Sequence, residues 1–123
     1  MNGRKAKQRR RREAEHSARL LAAIRAAVPV LLCTTPDGDE VWQRGPVTMA
    51  VPVVPLDAPT ELQQAVTAYR MATLTTDCPR CDNDVWVTVS GEYRLRHEGA
   101  CPADPERLIV LAEGFGVEVR RRS

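Results

Sequence analysis

The feature that most constrains the fold of this chain is a pair of cysteines two residues apart, followed at a distance by a histidine and a third cysteine. The four positions are Cys78, Cys81, His97 and Cys101. A two-residue spacer lets one tight turn aim both sulfurs at the same point, and Pro79 fixes that turn. Zinc in proteins prefers four tetrahedral ligands drawn from thiolate and imidazole. The spacing therefore predicts one zinc site late in the chain.

The segment between the two halves of this site has the pattern of a β-hairpin. Val85–Val89 is predicted as one strand and Arg94–His97 as the return strand. With Gly91-Glu92 as a two-residue turn, Trp86 is expected to face His97 across the pair. The return strand then brings His97 back beside the cysteine pair. The other face of the hairpin is expected to carry the valines together with the two arginines.

This combination of spacing and hairpin resembles the zinc-ribbon and treble-clef group of zinc fingers, over residues 77–103. Asp104 is predicted to cap a following helix that has Pro105 at its first position and ends near Gly114. In a treble clef the second ligand pair normally overlaps the helix start, whereas Cys101 precedes the predicted cap by three residues. Both subtypes therefore stay open. The alternating segment Phe115–Val119 is predicted as a final strand.

The amino terminus is strongly basic. Residues 1–12 hold seven cations and no acid, while the other 111 residues hold 11 basic and 16 acidic groups, a balance of −5. The seven cations are Arg4, Lys5, Lys7, Arg9, Arg10, Arg11 and Arg12. Because like charges repel and nothing apolar is available to bury, this arm is predicted to be disordered when free and to join the next helix when an anion neutralises it. Arg120, Arg121 and Arg122 form a second, shorter basic end.

The remaining elements follow from apolar periodicity and from turn residues. Leu20, Ile24 and Val28 form the stripe of a helix over residues 13–28, which Pro29 ends. Residues 29–76 are predicted as a small α+β middle segment, followed by a zinc-ribbon-like module over 77–123. The middle segment is expected to contain a buried strand at Val30–Thr34, a turn at Pro36–Asp39, a return strand at Val41–Gln43, an edge or irregular stretch at Val47–Val54, and a helix over 60–72.

The fold class is therefore α+β, with a small core, because the chain has only one Phe. No stretch approaches the length of a membrane span, and the start lacks the order of a signal peptide. We expect a cytoplasmic protein, in which reduced cysteines serve as metal ligands rather than disulfides. Its excess of Arg over Lys is typical of a GC-rich bacterial or phage genome.

The leading functional hypothesis is a non-catalytic zinc protein that binds DNA or RNA, or a nucleic-acid-associated protein, through its basic arm. Arg94 and Arg96 on the hairpin, beside Trp86, are a second candidate contact. The alternatives are a solubilising terminus, a protein–protein adaptor that uses the Leu20–Ile24–Val28 stripe and the hairpin, and an iron–sulfur redox sensor with Cys33 as a fourth sulfur. Four protein ligands leave no open position on the metal, so we expect no enzyme activity.

Overall fold

A computed structural model describes residues 2–119 of the chain. Three helices and two small antiparallel sheets make an α+β fold, as predicted. In chain order the elements are α1 (Asn2–Ala26), β1 (Val30–Thr34), β2 (Glu40–Arg44), β3 (Val47–Val51), α2 (Thr60–Thr75), β4 (Asp84–Val87), β5 (Tyr93–Arg96) and α3 (Pro105–Gly114). The strand order is β1-β2-β3 in the first sheet and β4-β5 in the second.

The first helix is longer than its apolar stripe. It begins at Asn2, so the expectation of a disordered arm over residues 1–12 differs from the structure. Arg, Lys, Gln and Ala all have high helix propensity, and the arm continues a helix whose later turns are fixed by packing. The helix ends at Ala26, two residues before the end at position 28 that Pro29 predicted. Met1 and the second basic end, Arg120–Arg122, lie outside the described residues.

The three-stranded sheet has the predicted strands but not the predicted burial. β1 was expected to be buried, yet all five of its residues are exposed, because no other element covers this edge strand within residues 2–119. Its pairing with β2 is interrupted by a bulge at Leu32, between the register positions of Leu31 and Cys33. The opposite edge, β3, is the buried one: Val47, Met49 and Val51 point into the protein. An apolar run alone thus identified the strand but not its environment.

Two apolar clusters hold the elements together, one between α1 and the two sheets and one between α2 and α3. Ile24, on the last turns of α1, packs with Val47 and Met49 of β3 and with Val87 of β4. A second cluster joins α2 to α3. Its buried members are Ala58, Leu62, Ala65, Val66, Leu108, Ala112 and Val119. The adaptor hypothesis used the stripe Leu20–Ile24–Val28 as a docking surface, but Ile24 is fully buried inside the protein.

The β4–β5 hairpin exists, but its predicted register is wrong. Val87 pairs with Tyr93 and Trp86 pairs with Arg94, so Trp86 does not face His97. The loop is not a two-residue turn at Gly91-Glu92. The Gly91 amide donates to the Thr88 carbonyl, Gly91 has φ +87°, and Thr88 then pairs with Glu92. This is a three-residue loop in which glycine supplies the left-handed position after the turn.

The changed register moves side chains between the faces of the hairpin. The observed register differs from the predicted one by three positions, since Trp86 pairs with Arg94 instead of His97. Successive residues of a strand point to opposite faces, so an odd shift changes which residues of β5 share a face with a given residue of β4. Val87 and Tyr93 lie on the inner face, packed near Ile24. Trp86, Arg94 and Arg96 share the outer face. The two arginines were predicted on the same face as the valines instead.

The carboxyl-terminal helix follows its sequence signals closely. Asp104 is its N-cap and accepts a hydrogen bond from the Arg107 amide, Pro105 is the first residue, and the helix ends at Gly114. The predicted strand at Phe115–Val119 is wrong. That segment turns back instead, and Val119 buries its side chain against the α2–α3 cluster. Among the helices of residues 2–119, none combines the length and the apolar composition needed to cross a membrane.

Candidate metal centre

Four side chains from separate parts of the chain meet beside α2. The ligand atoms of Cys78, Cys81, His97 and Cys101 all lie within 4.8 Å of one another. Cys101 and His97 are buried, whereas Cys78 and Cys81 are half-buried. The structure therefore brings together all four residues that the sequence nominated as metal ligands.

The first cysteine pair sits on a turn that the end of α2 positions. Thr76, the C-cap of α2, has φ 72°, and its carbonyl accepts a hydrogen bond of 2.9 Å from Nδ2 of Asn83. Oδ1 of Asn83 accepts one of 2.8 Å from the Cys78 amide. The Arg80 amide points at Cys78 Sγ, 3.4 Å away. Asn83 thus closes the turn, and an amide of the turn is available to stabilise thiolate charge.

The hairpin delivers the histidine. His97 follows β5 directly, and its Nδ1 lies 3.6 Å from Cys81 Sγ and 3.7 Å from Cys101 Sγ. Tyr69 of α2 stacks on the imidazole, with ring centroids 6.4 Å apart. The other ring nitrogen, Nε2, is buried with no hydrogen-bond partner among the described residues. This orientation makes Nδ1 the nitrogen that is available to a metal.

The third cysteine comes from a second turn, just before α3. Cys101 Sγ lies 3.7 Å from Cys78 Sγ, and the Ala103 amide points at Cys101 Sγ from 3.4 Å. The two turns therefore present their sulfurs in the same way, each with an amide two residues after the cysteine. Ala68, Cys101 and Ala103 form a small buried cluster, so the site is seated on the α2 surface.

The separations fit a tetrahedral ion of the size of zinc. Zn–S bonds of about 2.3 Å and Zn–N bonds of about 2.0–2.1 Å place tetrahedral ligand atoms about 3.5–3.8 Å apart. Three of the pairs of ligand atoms in the cluster are separated by 3.6 to 3.7 Å, and all pairs lie within 4.8 Å. Three sulfurs and one imidazole nitrogen are also the donor types of structural zinc sites. The residues present therefore fit a metal ion and are compatible with zinc.

The electrostatics of the cluster also favour a cation. Burial, followed by the neighbouring thiols of Cys101 and Cys78, raises the pKa of Cys81 to about 12. Burial lowers the pKa of His97, which keeps its imidazole neutral and able to ligate. Thiolates crowded together repel one another unless a cation lies between them. Metal binding at this site is therefore expected to release thiol protons.

Cys33 does not belong to the cluster. It lies on the exposed strand β1 as a free thiol, and the group of potential ligands found among the described residues does not include it. The four-cysteine arrangement on which the iron–sulfur alternative depended is therefore not formed.

The other predicted contact residues lie on two separate surfaces. The side chains from Arg4 to Arg12 are exposed on the first turns of α1, apart from the half-buried Ala6. Arg94 and Arg96 lie on the outer face of the hairpin, where they form ion pairs with Glu92 and Asp84. The structure does not bring these two sets of cations into contact.

Two residues of the site were not anticipated from the sequence. Asn83 follows the cysteine pair by two positions, a spacing at which an amide side chain commonly bonds to nearby backbone in turns, and this was the available signal. Tyr69 lies on the helix predicted over 60–72, and its helical spacing alone does not distinguish a neighbour of His97 from a core residue.

No family model, curated protein or solved structure matches this chain. The metal centre therefore has to be interpreted from its own geometry.

Proposed function

We propose that this chain is a non-catalytic zinc protein that attaches to nucleic acid through the amino-terminal half of α1. One observation carries the proposal. Seven cations stand with exposed side chains on the first turns of α1, and none of them forms an ion pair with any residue from 2 to 119. They are Arg4, Lys5, Lys7, Arg9, Arg10, Arg11 and Arg12.

The spacing of these cations suits phosphates rather than bases. Nine helical residues rise over about 12 Å, so the charge density approaches that of a DNA backbone. At about 100° per residue the seven side chains point all round the helix, and no single face is reserved for base edges. Such an arrangement supplies affinity through counterion release without choosing a sequence.

The zinc ion in this proposal is structural. Four protein ligands fill a tetrahedral site and leave no position for a substrate or an activated water. The ligands come from the end of α2, the hairpin and the start of α3, three segments that share few large apolar side chains. A metal that links them supplies folding energy that a small core lacks.

The salt dependence of binding tests the nucleic-acid proposal. Affinity for duplex DNA should fall linearly on a logarithmic scale with salt, with a slope of about −0.9 for each phosphate neutralised. Changing Arg9, Arg10, Arg11 and Arg12 to Gln keeps the helix propensity and should flatten the slope by up to about 3.6, if each of the four neutralises one phosphate. Arg19→Gln, on the same helix beyond the arm, is the control and should change little. Absence of binding at low salt, or an unchanged slope in the fourfold variant, contradicts the proposal.

A protein partner at β1 is the second candidate function. Leu31 and Leu32 are 46% and 50% exposed on an edge strand without a charged residue, and neighbouring Val28 is 79% exposed. Uncharged apolar edges accept an additional strand. If a second copy adds that strand, light scattering should show dimers that Leu32→Lys dissociates. A monomer at all concentrations removes self-association at β1 and leaves the nucleic-acid proposal standing.

A further inference from the structure

We infer that the outer face of the β4–β5 hairpin is a stacking site for a base of single-stranded nucleic acid, with Trp86 as its aromatic surface. This inference rests on the proposed function, since it identifies the form of nucleic acid that the protein holds. The face consists of Asp84, Trp86, Arg94 and Arg96. It lies on the side opposite to Val87, which packs into the core.

Trp86 is an exposed aromatic residue in a protein whose sequence is only 4% aromatic. Its side chain is 40% exposed, and Arg94 stands directly opposite it on β5. The guanidinium carbon of Arg96 lies 5.7 Å from the centre of the Trp86 ring. The indole therefore already contacts one planar cation while much of its surface remains open. Nucleic-acid bases stack on aromatic side chains and on arginine in the same manner.

Each arginine of this face is paired with a carboxylate, so the face carries no excess positive charge to attract nucleic acid. Arg96 pairs with Asp84 at 2.7 Å and Arg94 pairs with Glu92. Exposed ion pairs of this kind contribute little free energy, so a phosphate can replace a carboxylate at small cost. The face itself has no net attraction at long range. Attraction comes from the basic segment of α1, and the hairpin adds stacking once the strand is held.

The metal centre fixes the hairpin that carries Trp86. Cys81 lies three residues before β4 and His97 follows β5 directly, and their ligand atoms are 3.6 Å apart. A bound ion therefore joins the two open ends of the hairpin. The inner face of the same hairpin packs on α1 through Val87 and Ile24. Zinc removal should consequently weaken stacking more than it weakens phosphate binding by the arm.

An exposed aromatic surface discriminates between the forms of nucleic acid. In a duplex the faces of the bases are covered by their neighbours, whereas in a single strand they are free to stack. Single-stranded DNA and RNA share this chemistry. A test that includes both, with a duplex beside them, therefore shows which of them the site prefers.

The experiment compares the full-length, zinc-loaded protein with three variants. The ligands are oligothymidylate and oligouridylate of about 12 nucleotides and a DNA duplex of the same length. Trp86→Ala should weaken binding of at least one single strand about tenfold while duplex binding stays within a factor of two. Trp86→Phe keeps an aromatic ring and should recover part of the loss. Phe115→Ala removes a similarly exposed aromatic side chain elsewhere and is the matched control.

Fluorescence gives a second readout that a purely structural role of Trp86 would not produce. Trp42→Phe leaves Trp86 as the sole tryptophan. Its emission should be quenched by the single strands and not by the duplex, and the quenching should disappear after chelation. Single-strand binding that is salt-dependent but unaffected by Trp86→Ala, with no quenching, overturns this inference and leaves the role of the basic arm intact. No binding to any of the three ligands overturns the proposed function as well.

Discussion

The side-chain oxygen of Asn83 accepts a hydrogen bond of 2.8 Å from the backbone amide of Cys78. The amide nitrogen of the same side chain donates to the carbonyl of Thr76, where α2 ends. One residue thus fixes the first cysteine turn to the helix on which the metal site is seated.

Replacing Asn83 with Ala should weaken zinc binding. The turn that presents Cys78 and Cys81 would lose both of its ties, and residues that orient metal ligands typically contribute tenfold or more to affinity. We expect a loss of about tenfold, measured by competition with a chromophoric chelator. Gln64→Ala, an exposed change on α2, is the control. Equal affinities in Asn83→Ala and the wild-type protein would show that the turn holds its shape without this side chain.

Removing the metal should loosen one part of the protein selectively. Amide exchange should become faster from Cys78 to Cys101, because the ion joins these segments. The α2–α3 cluster around Leu62 and Leu108 does not depend on the ion and should keep its protection. Hydrogen-exchange mass spectrometry before and after chelation measures this contrast. Complete metal removal without faster exchange in the hairpin would rule out a structural role.

Substituting each of two glycines by Ala distinguishes the stability cost of a strained backbone from the cost of a steric clash. Gly38 and Gly45 both have positive φ, +92° and +58°. A Cβ at Gly38 meets nothing within 4 Å, whereas a Cβ at Gly45 would lie 3.0 Å from the carbonyl oxygen of Ala23. Gly38→Ala should therefore cost about 1 kcal/mol of stability, and Gly45→Ala about 1–2 kcal/mol more. Urea unfolding of both variants tests this, and equal costs would mean that α1 yields easily at Ala23.

Tyr93 should contribute to the alkaline limit of stability. Burial raises the pKa of Tyr93 to about 12, and its hydroxyl donates to the Thr73 carbonyl at 3.0 Å. Since a Tyr in the unfolded chain ionises near pH 10, this stability is complete below about pH 10 and is lost as the pH rises towards 12. Tyr93→Phe cannot ionise and should show a shallower decline over that window. Urea unfolding at a series of pH values measures the stability of both proteins. An equal decline of stability between pH 10 and 12 in Tyr93→Phe and the wild-type protein would contradict this role of Tyr93.

The fold was predictable where a residue's local chemistry decides the conformation. Asp104 and Pro105 set the start of α3, and Pro29 limits α1. The ligand set was predictable for the same reason, because cysteine spacing restricts what the residues can do. Burial depends on what packs against an element, and this explains the error at β1. Val30–Thr34 has the composition of a core strand, but no element covers it within residues 2–119.

The prediction of the hairpin register was wrong because of a single residue, Gly91. Gly91 was placed at the first central position of a two-residue turn, whereas it takes the left-handed position of a three-residue loop. Both roles suit glycine, and sequence alone does not choose between them. The choice decides whether Trp86 covers the metal site or faces solvent. The surface that we assign to single-stranded nucleic acid thus depends on one loop residue.

The measurement that most directly tests the account is the metal content of the purified protein. Elemental analysis of the wild-type chain, purified without chelators, should give one zinc ion per chain. Cys101→Ser should reduce the content strongly, whereas Cys33→Ser should leave it unchanged because Cys33 lies outside the cluster. A wild-type protein that is folded and holds no zinc after incubation with a stoichiometric amount, or a Cys101→Ser variant with full occupancy, would contradict the account.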